Sequence, residues 1–218
     1  MSFQEHKYLV VRQAISPELA NFCFNYFMIK RQAVAYMYRN KVLQETPLLG
    51  SWNDPLVPGV YSHYADTVME TLLLKVLPLV QHHVQEDLVP TYSYARVYEK
   101  GKALVRHKDR ESCEISATLN LGGDAWPIFI DPTGTNNVLD VKKGLVKAGA
   151  PEGVQVDLQP GDLLLYSGCE LEHWREPFTG DICAQVFLHY NRTDGRFGRA
   201  HQFDQRPMLG LPHGIRVA

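Results

Sequence analysis

From Thr91 to Asn191 the chain is cut into short strand-like runs, and this feature most restricts how it can fold. The runs are YSYARVYE (92–99), LVRHKD (104–109), EISATLNLG (114–122), WPIFID (126–131), VQVDLQ (154–159), GDLLLYSG (161–168) and DICAQVFLHYN (181–191). Gly, Pro and Asp turns separate them. Short strands punctuated in this way predict a β-sandwich or barrel of roughly seven or eight strands. The half before them reads differently. YLVVRQAI (8–15) is a short strand. Ser16 then serves as N-cap and Pro17 as the first helical residue, and the helix runs through ELANFCFNYFMIKRQ. Its Leu19, Phe22, Cys23 and Phe27 recur at helical spacing. Residues 46–60 are a Pro-, Gly- and Asn-rich loop. A second helix is expected from about Tyr61 to Gln85, with Leu72, Leu73, Val76, Leu77 and Val80 on its apolar face and Pro78 as a kink point.

At 218 residues the chain suits a single domain, with a helical part (1–90), a strand core (91–192) and a tail without period (193–218). The net charge of −2 gives no reason to expect nucleic acid or an acidic membrane surface as a partner. No apolar run approaches the ~20 residues that span a bilayer. The polar start, MSFQEHKYLVVRQ, lacks the layout of a secretory signal, so the expected location is cytoplasmic. Cys23, Cys113, Cys169 and Cys183 form no CxxC pair and read as free thiols. No GxGxxG or Walker-type loop is present, which leaves a nucleotide-binding reading without support.

The chemistry centres on RHKDRESCEI (106–115). His107 and Asp109 lie two apart, so at the end of an extended strand both side chains project to one face. A third ligand is offered by His173, in CELEHWREP, just past the apolar run GDLLLYSG. Two imidazoles and a carboxylate on one face leave the opposite coordination positions open, as in non-haem Fe(II) oxygenases. Ser116, Thr118 and Asn120 alternate and share a strand face, which lines a pocket or faces solvent.

The stretches YARVYEKGKALVRHKD, ISATLNLGG, VDLQPGDLLLYSGCELEHWREP and AQVFLHYN follow one another over roughly residues 90–192. In this order the chain resembles the Fe(II)- and 2-oxoglutarate-dependent dioxygenases, in particular their prolyl 4-hydroxylase-like branch. The resemblance implies a mainly β fold with flanking helices: a double-stranded β-helix, or jelly-roll, buttressed by two N-terminal helices. It implies His107, Asp109 and His173 as iron ligands, with 2-oxoglutarate and O₂ as co-reactants. It implies that Tyr98 and Asn120 contact 2-oxoglutarate. It further implies hydroxylation of a protein side chain or small molecule, with release of succinate and CO₂. One departure stands out. The family places an Arg or Lys about ten residues after the second histidine to grip the distal carboxylate, but that region here reads TGDICAQV. Arg175, two residues after His173, is the first substitute, and Arg96, two before Tyr98, the second. A surface salt bridge to Glu176 or Glu99 is the alternative for each. The competing functional reading is a jelly-roll metal- or ligand-binding module without turnover. Arg106, Lys108 and Arg110 flank the metal pair and either meet a substrate or stay solvated. Trp126, Trp174 and Tyr166 are candidate pocket walls or core. The insertion 132–153 is a lid or a surface excursion.

Overall fold

Along the central strands, alternate side chains serve two different neighbours, and this sets the architecture. The computed structural model describes residues 2–215. In chain order it contains α1 (Phe3–His6), β1 (Tyr8–Val11), α2 (Pro17–Arg39), β2 (Tyr61–Tyr64) and α3 (Thr67–Val84). There follow β3 (Leu88–Glu99), β4 (Leu104–His107), β5 (Ile115–Gly123), β6 (Ile128–Ile130), β7 (Val138–Asp140) and β8 (Leu145–Val146). The last strands are β9 (Val154–Val156), β10 (Leu163–Tyr166), β11 (His173–Arg175) and β12 (Ile182–Arg192), before a 3₁₀ segment at Arg199–Gln205. Six strands form an antiparallel sheet in the order β1-β10-β5-β12-β3-β2, and four form a second in the order β4-β11-β6-β9.

In β5, Ile115, Ala117, Leu119 and Leu121 join a core with Ala184, Val186 and Leu188 of β12 and with Cys23, Phe27, Leu73, Val76 and Val80 of the helices. Burying each large aliphatic side chain there contributes about 1.5–3 kcal/mol. The residues between them point the other way, because strand side chains alternate. Ser116, Thr118 and Asn120 of β5 therefore share the opposite face with Gln185, Phe187 and His189 of β12, and all six are buried. On that side Leu164 and Tyr166 of the larger sheet meet Ile128 and Ile130 of the smaller, and Tyr98 and Phe187 meet Leu104 and Trp126. The helices thus back one sheet, and the space between the sheets carries the polar residues. Ser116, Thr118 and Asn120 face this interior, not solvent.

Several boundaries differ from the sequence expectation. Tyr61–Tyr64 is a strand paired with β3, and the second helix begins only at Thr67. Asp66 is its N-cap, accepting from the Val68 and Met69 amides, and Ala65 before it has φ 59°. That cap stops the helix from reaching back to Tyr61. The first helix starts at Pro17 with Ser16 as N-cap, as expected, but continues to Arg39. The strand read as 8–15 ends at Val11, where pairing with β10 ends. The helix α3 runs through Pro78 without breaking.

The tail packs instead of lying in solvent. Arg206 is buried against Glu70 of α3, with Nη2 donating at 2.7 Å, and also bonds the Thr91 carbonyl. Asp204 accepts from Arg110 at 2.7 and 2.6 Å and from the Tyr64 hydroxyl. The tail's last residues, 216–218, lie outside the described ones.

Candidate active site

His107 and His173 are cross-strand partners on β4 and β11. Each is held by its own backbone: His107 Nδ1 donates to the Val105 carbonyl at 2.7 Å, and His173 Nδ1 donates to Leu171 at 3.1 Å. Committing Nδ1–H to a carbonyl leaves a lone pair on Nε2, the tautomer a metal requires. Both Nε2 atoms point to one oxygen, Asp109 Oδ1, at 3.7 and 3.5 Å. The other carboxylate oxygen, Oδ2, accepts from Ser116 Oγ at 2.6 Å, and the Asp109 amide is fixed to the Gly168 carbonyl at 2.9 Å. Nitrogen, nitrogen and oxygen donors converge while their outer atoms are tied down. A divalent transition-metal ion fits this donor set.

The backbone around Asp109 leaves no spare room. A Cβ on Gly168 would overlap Ser116 Oγ, Asp109 Oδ2 and the Cys113 carbonyl at once. We expect Gly168→Ala to cost about 1–3 kcal/mol of stability. Metal affinity should also fall about 10–100-fold, because the Ser116 bond that orients Asp109 is displaced. Calorimetric titration with Mn(II) checks this; unchanged affinity in a folded variant would sink the assigned role of Ser116.

Burial would by itself raise the Asp109 pKa, but the facing His173 holds it well below the carboxylate range. Burial pushes His107 down to about 4, with His173 beside it adding to the effect, and burial likewise pushes His189 down to about 4. Between pH 6.5 and 4 the unfolded chain therefore binds protons that the folded chain refuses. Stability of the metal-free protein must fall as pH falls through that window, by about 1.4 kcal/mol per pH unit for each histidine at most. Urea midpoints measured from pH 7 to 4.5 should decline steadily, and a flat profile would contradict it.

Arg175 is the largest of the fully buried side chains among the described residues, at 1% exposure. It lies on the interior face of β11, while Trp174 between it and His173 is stacked on Phe129, under the Arg106 guanidinium. Trp174 is thus no wall of the metal pocket. Arg175 Nη1 donates to the Trp126 carbonyl, and the guanidinium sits over the Trp126 ring at 4.9 Å. Its Nε and Nη2 have no hydrogen-bond partner. Among the described residues no carboxylate pairs with it; Glu176 instead accepts from Trp174 Nε1. Burial lowers the Arg175 pKa, opposed by the neighbouring Cys183, Tyr98 and Tyr166. Cys183 stands ten residues after His173, where the resemblance implies a basic side chain, so Arg175 reaches that ground from the facing sheet. Asn120 Oδ1 and Gln185 Oε1, on facing strands, are also buried without partners.

Arg96 is a different case. Its guanidinium is buried against Asp54, Nε donating at 2.6 Å and Nη2 at 3.2 Å, and Nη1 donates to the Tyr98 hydroxyl at 3.3 Å. Asp54 also caps the Leu56 and Val57 amides, so the pair pins the 46–60 loop over the sheet. Glu99, the alternative partner for Arg96, pairs with Arg31 instead. Arg106 is not solvated either: it is buried between Asp131 and Glu172. Glu172 Oε1 in turn accepts the Asn137 and Val138 amides at 2.6 and 3.0 Å, which anchors the insertion. The hairpin β7–β8 was not expected within it. Val141, on that hairpin, lines a cavity of about 410 Å³ above the three ligands.

Sequence reasoning did not single out Asp54, Asp204, Tyr92 or His189, all of which belong to this cavity or its supports. For His189 the available signal was its place in AQVFLHYN, two residues after Phe187 and so on the same strand face.

No protein-family model and no curated protein matches the chain. Solved structures do. The crystal structure of the non-haem, α-ketoglutarate-dependent carbocyclase SnoK from nogalamycin biosynthesis aligns with a TM-score of 0.61 at 14% identity, covering 96% of this chain and 90% of that one. HygX from Streptomyces hygroscopicus, with nickel and 2-oxoglutarate bound, aligns with a TM-score of 0.59 at 15% identity, covering 99% and 93%. A Pseudomonas putida prolyl-4-hydroxylase aligns with 0.54 at 14% identity, covering 87% and 95%. At such identities the likeness is one of backbone. The chain has the jelly-roll fold of the 2-oxoglutarate-dependent non-haem iron oxygenases, with a His-Asp-His cluster between its sheets.

Proposed function

We propose that the protein is an Fe(II)- and 2-oxoglutarate-dependent dioxygenase that hydroxylates a small molecule or a protein side chain. His107, Asp109 and His173 would hold the iron. When bound, the metal is where O₂ meets 2-oxoglutarate, and the overall reaction inserts one oxygen atom into substrate and leaves the other in succinate, with loss of CO₂. The chain's own residues do the rest. Ser116 and Gly168 fix the Asp109 carboxylate, the Val105 and Leu171 carbonyls fix the two tautomers, and the interdigitated sheets exclude water.

The observation that separates an oxygenase from a metal-binding module is Arg175. A buried guanidinium with two unpartnered donor atoms is costly, and a carboxylate satisfies it well. The distal carboxylate of 2-oxoglutarate supplies one, with Tyr98, Asn120 and Gln185 around it. Arg96, already paired with Asp54, serves the loop and not the cosubstrate. SnoK and HygX, whose structures are described as α-ketoglutarate-dependent and 2-oxoglutarate-bound, support the reading. Among the described residues no helix is long and apolar enough to cross a membrane, and all four cysteines are free, which suits a cytoplasmic location. The test is anaerobic calorimetry of metal-free protein with Mn(II), then 2-oxoglutarate. One metal per chain, with cosubstrate binding only after it, is the expected result. Metal binding without cosubstrate binding would favour the module.

A further inference from the structure

The cavity above the three ligands has little charge left to offer. Arg96 is neutralised by Asp54, and Arg110 by Asp204 in a two-bond pair. The Lys108 ammonium is turned to the insertion, bonding Asn136 Oδ1 at 2.6 Å and the Gly134 carbonyl at 3.1 Å. The walls between these groups are aromatic and aliphatic: Tyr92, Tyr94, Phe187, Leu56, Leu104 and Val141. The paired arginines stiffen them, Arg110 lying over Tyr92 at 4.5 Å and Arg96 over Tyr94 and Phe187 at 4.8 and 5.3 Å. With Arg175 taken by the cosubstrate, an ionic substrate group entering this space would lose its water and meet no free counter-charge.

One polar atom remains, and proton bookkeeping defines it. Ser116 Oγ has a single proton, and a carboxylate only accepts, so the 2.6 Å contact commits that proton to Asp109. The 3.0 Å contact between Ser116 Oγ and His189 Nδ1 then requires Nδ1 to donate. A neutral imidazole that donates from Nδ1 carries a lone pair on Nε2. Nε2 has no hydrogen-bond partner among the described residues, yet it is not among the buried polar atoms lacking one. The opening that His189 lines is the cavity, and its ring is steadied against Tyr92 at 4.6 Å.

We propose that the site takes an uncharged, ring-containing small molecule bearing a hydroxyl group, and that His189 Nε2 accepts the hydroxyl proton and so sets the substrate's position. This deepens the oxygenase reading and rests on it for the reaction. His189 is a specificity-determining residue in this assignment, and its effect is on the hydroxyl alone.

The test uses four probes of one shape: 2-naphthol, its methyl ether, 2-naphthoate and 2-naphthylmethylammonium. Their binding is measured by calorimetry on the full chain, metal-free and again after loading with Mn(II) and 2-oxoglutarate. We expect 2-naphthol to bind about tenfold or more tightly than the ether, the worth of one hydrogen bond, and more tightly than either ion. In His189→Phe, which keeps the ring against Tyr92, 2-naphthol and the ether should bind alike. Absence of 2-naphthol binding, an ion that binds as tightly as 2-naphthol, or a naphthol preference that survives in His189→Phe would each overturn the proposal. If that variant does not fold, the wild-type ranking of the four probes decides. A protein that ranks the probes as expected but does not bind 2-oxoglutarate keeps this pocket assignment and loses the oxygenase reading.

Discussion

Arg175→Met is expected to make the metal-free protein more stable and to leave it unable to hold 2-oxoglutarate. The two effects have one cause. In the fold without ligand, a guanidinium at 1% exposure carries two donors with nothing to receive them. Methionine keeps much of the side chain's length, fills an irregular gap, and has no donor to leave stranded. Relief of a buried, unsatisfied polar group is worth on the order of 1–3 kcal/mol. For a chain of this size that is a melting temperature raised by about 2–4 °C per kcal/mol. The opposite sign appears once cosubstrate is added. Removing one side of a buried, hydrogen-bonded charge pair costs about 2–5 kcal/mol of binding, so 2-oxoglutarate affinity should fall by about 30-fold or more. Differential scanning fluorimetry and anaerobic calorimetry on the same preparation read both numbers. A variant that melts lower than wild type and still binds 2-oxoglutarate would make Arg175 a packing residue. Positions where stability is surrendered for ligand binding have this signature, and substitutions that only loosen a core do not.

His173→Ala is expected to abolish metal binding. His173 and His107 face one Asp109 oxygen from paired strands, so removing His173 leaves only the two donors of one segment, His107 and Asp109. Losing a direct ligand must cost more than the 10–100-fold typical of an outer-sphere partner. Mn(II) affinity should therefore fall by more than about 100-fold, and 2-oxoglutarate binding should disappear with it. The apo fold should tolerate the change better than most buried substitutions, since the vacated space adjoins the cavity, though Tyr166 loses its contact with the His173 ring at 4.7 Å. Retention of stoichiometric Mn(II) in a folded His173→Ala protein would refute the cluster as the metal site.

The three ligands were legible because their signals are local. A His-x-Asp at a strand end faces one way whatever surrounds it, and a histidine closing an apolar strand is conspicuous. Arg175 was legible for the same reason, lying two residues from a ligand on the same face. What stayed hidden depends on distance along the chain. Nothing near Arg96 shows that Asp54, 42 residues earlier, takes its charge, and nothing near Arg110 points to Asp204, 94 residues later. Reading Glu99 and Glu176 as partners was reasonable by proximity, but strand geometry turned both away. The strand Tyr61–Tyr64 was lost in the helix that follows it because Asp66, the cap that divides them, was not weighed as one. Strand β11 went unread as a strand because three residues between turns carry no period. A β-sandwich or barrel was legible from the rhythm of short runs, and the jelly-roll only from the resemblance.

The split allegiance of β5 also bears on how such a protein can change its chemistry over time. One strand carries two scripts: its odd-numbered side chains are bound to the helices, its even-numbered ones to the reaction chamber. Substitutions at the even positions can rewrite what the chamber accepts while the scaffold hears nothing of it. Insertions and deletions have no such freedom, because a shift of one residue exchanges the two scripts and puts isoleucine or alanine where serine holds the carboxylate. Lineages built on this strand are therefore expected to diversify by replacement within the sheet and to change length only in the loops and the insertion around it.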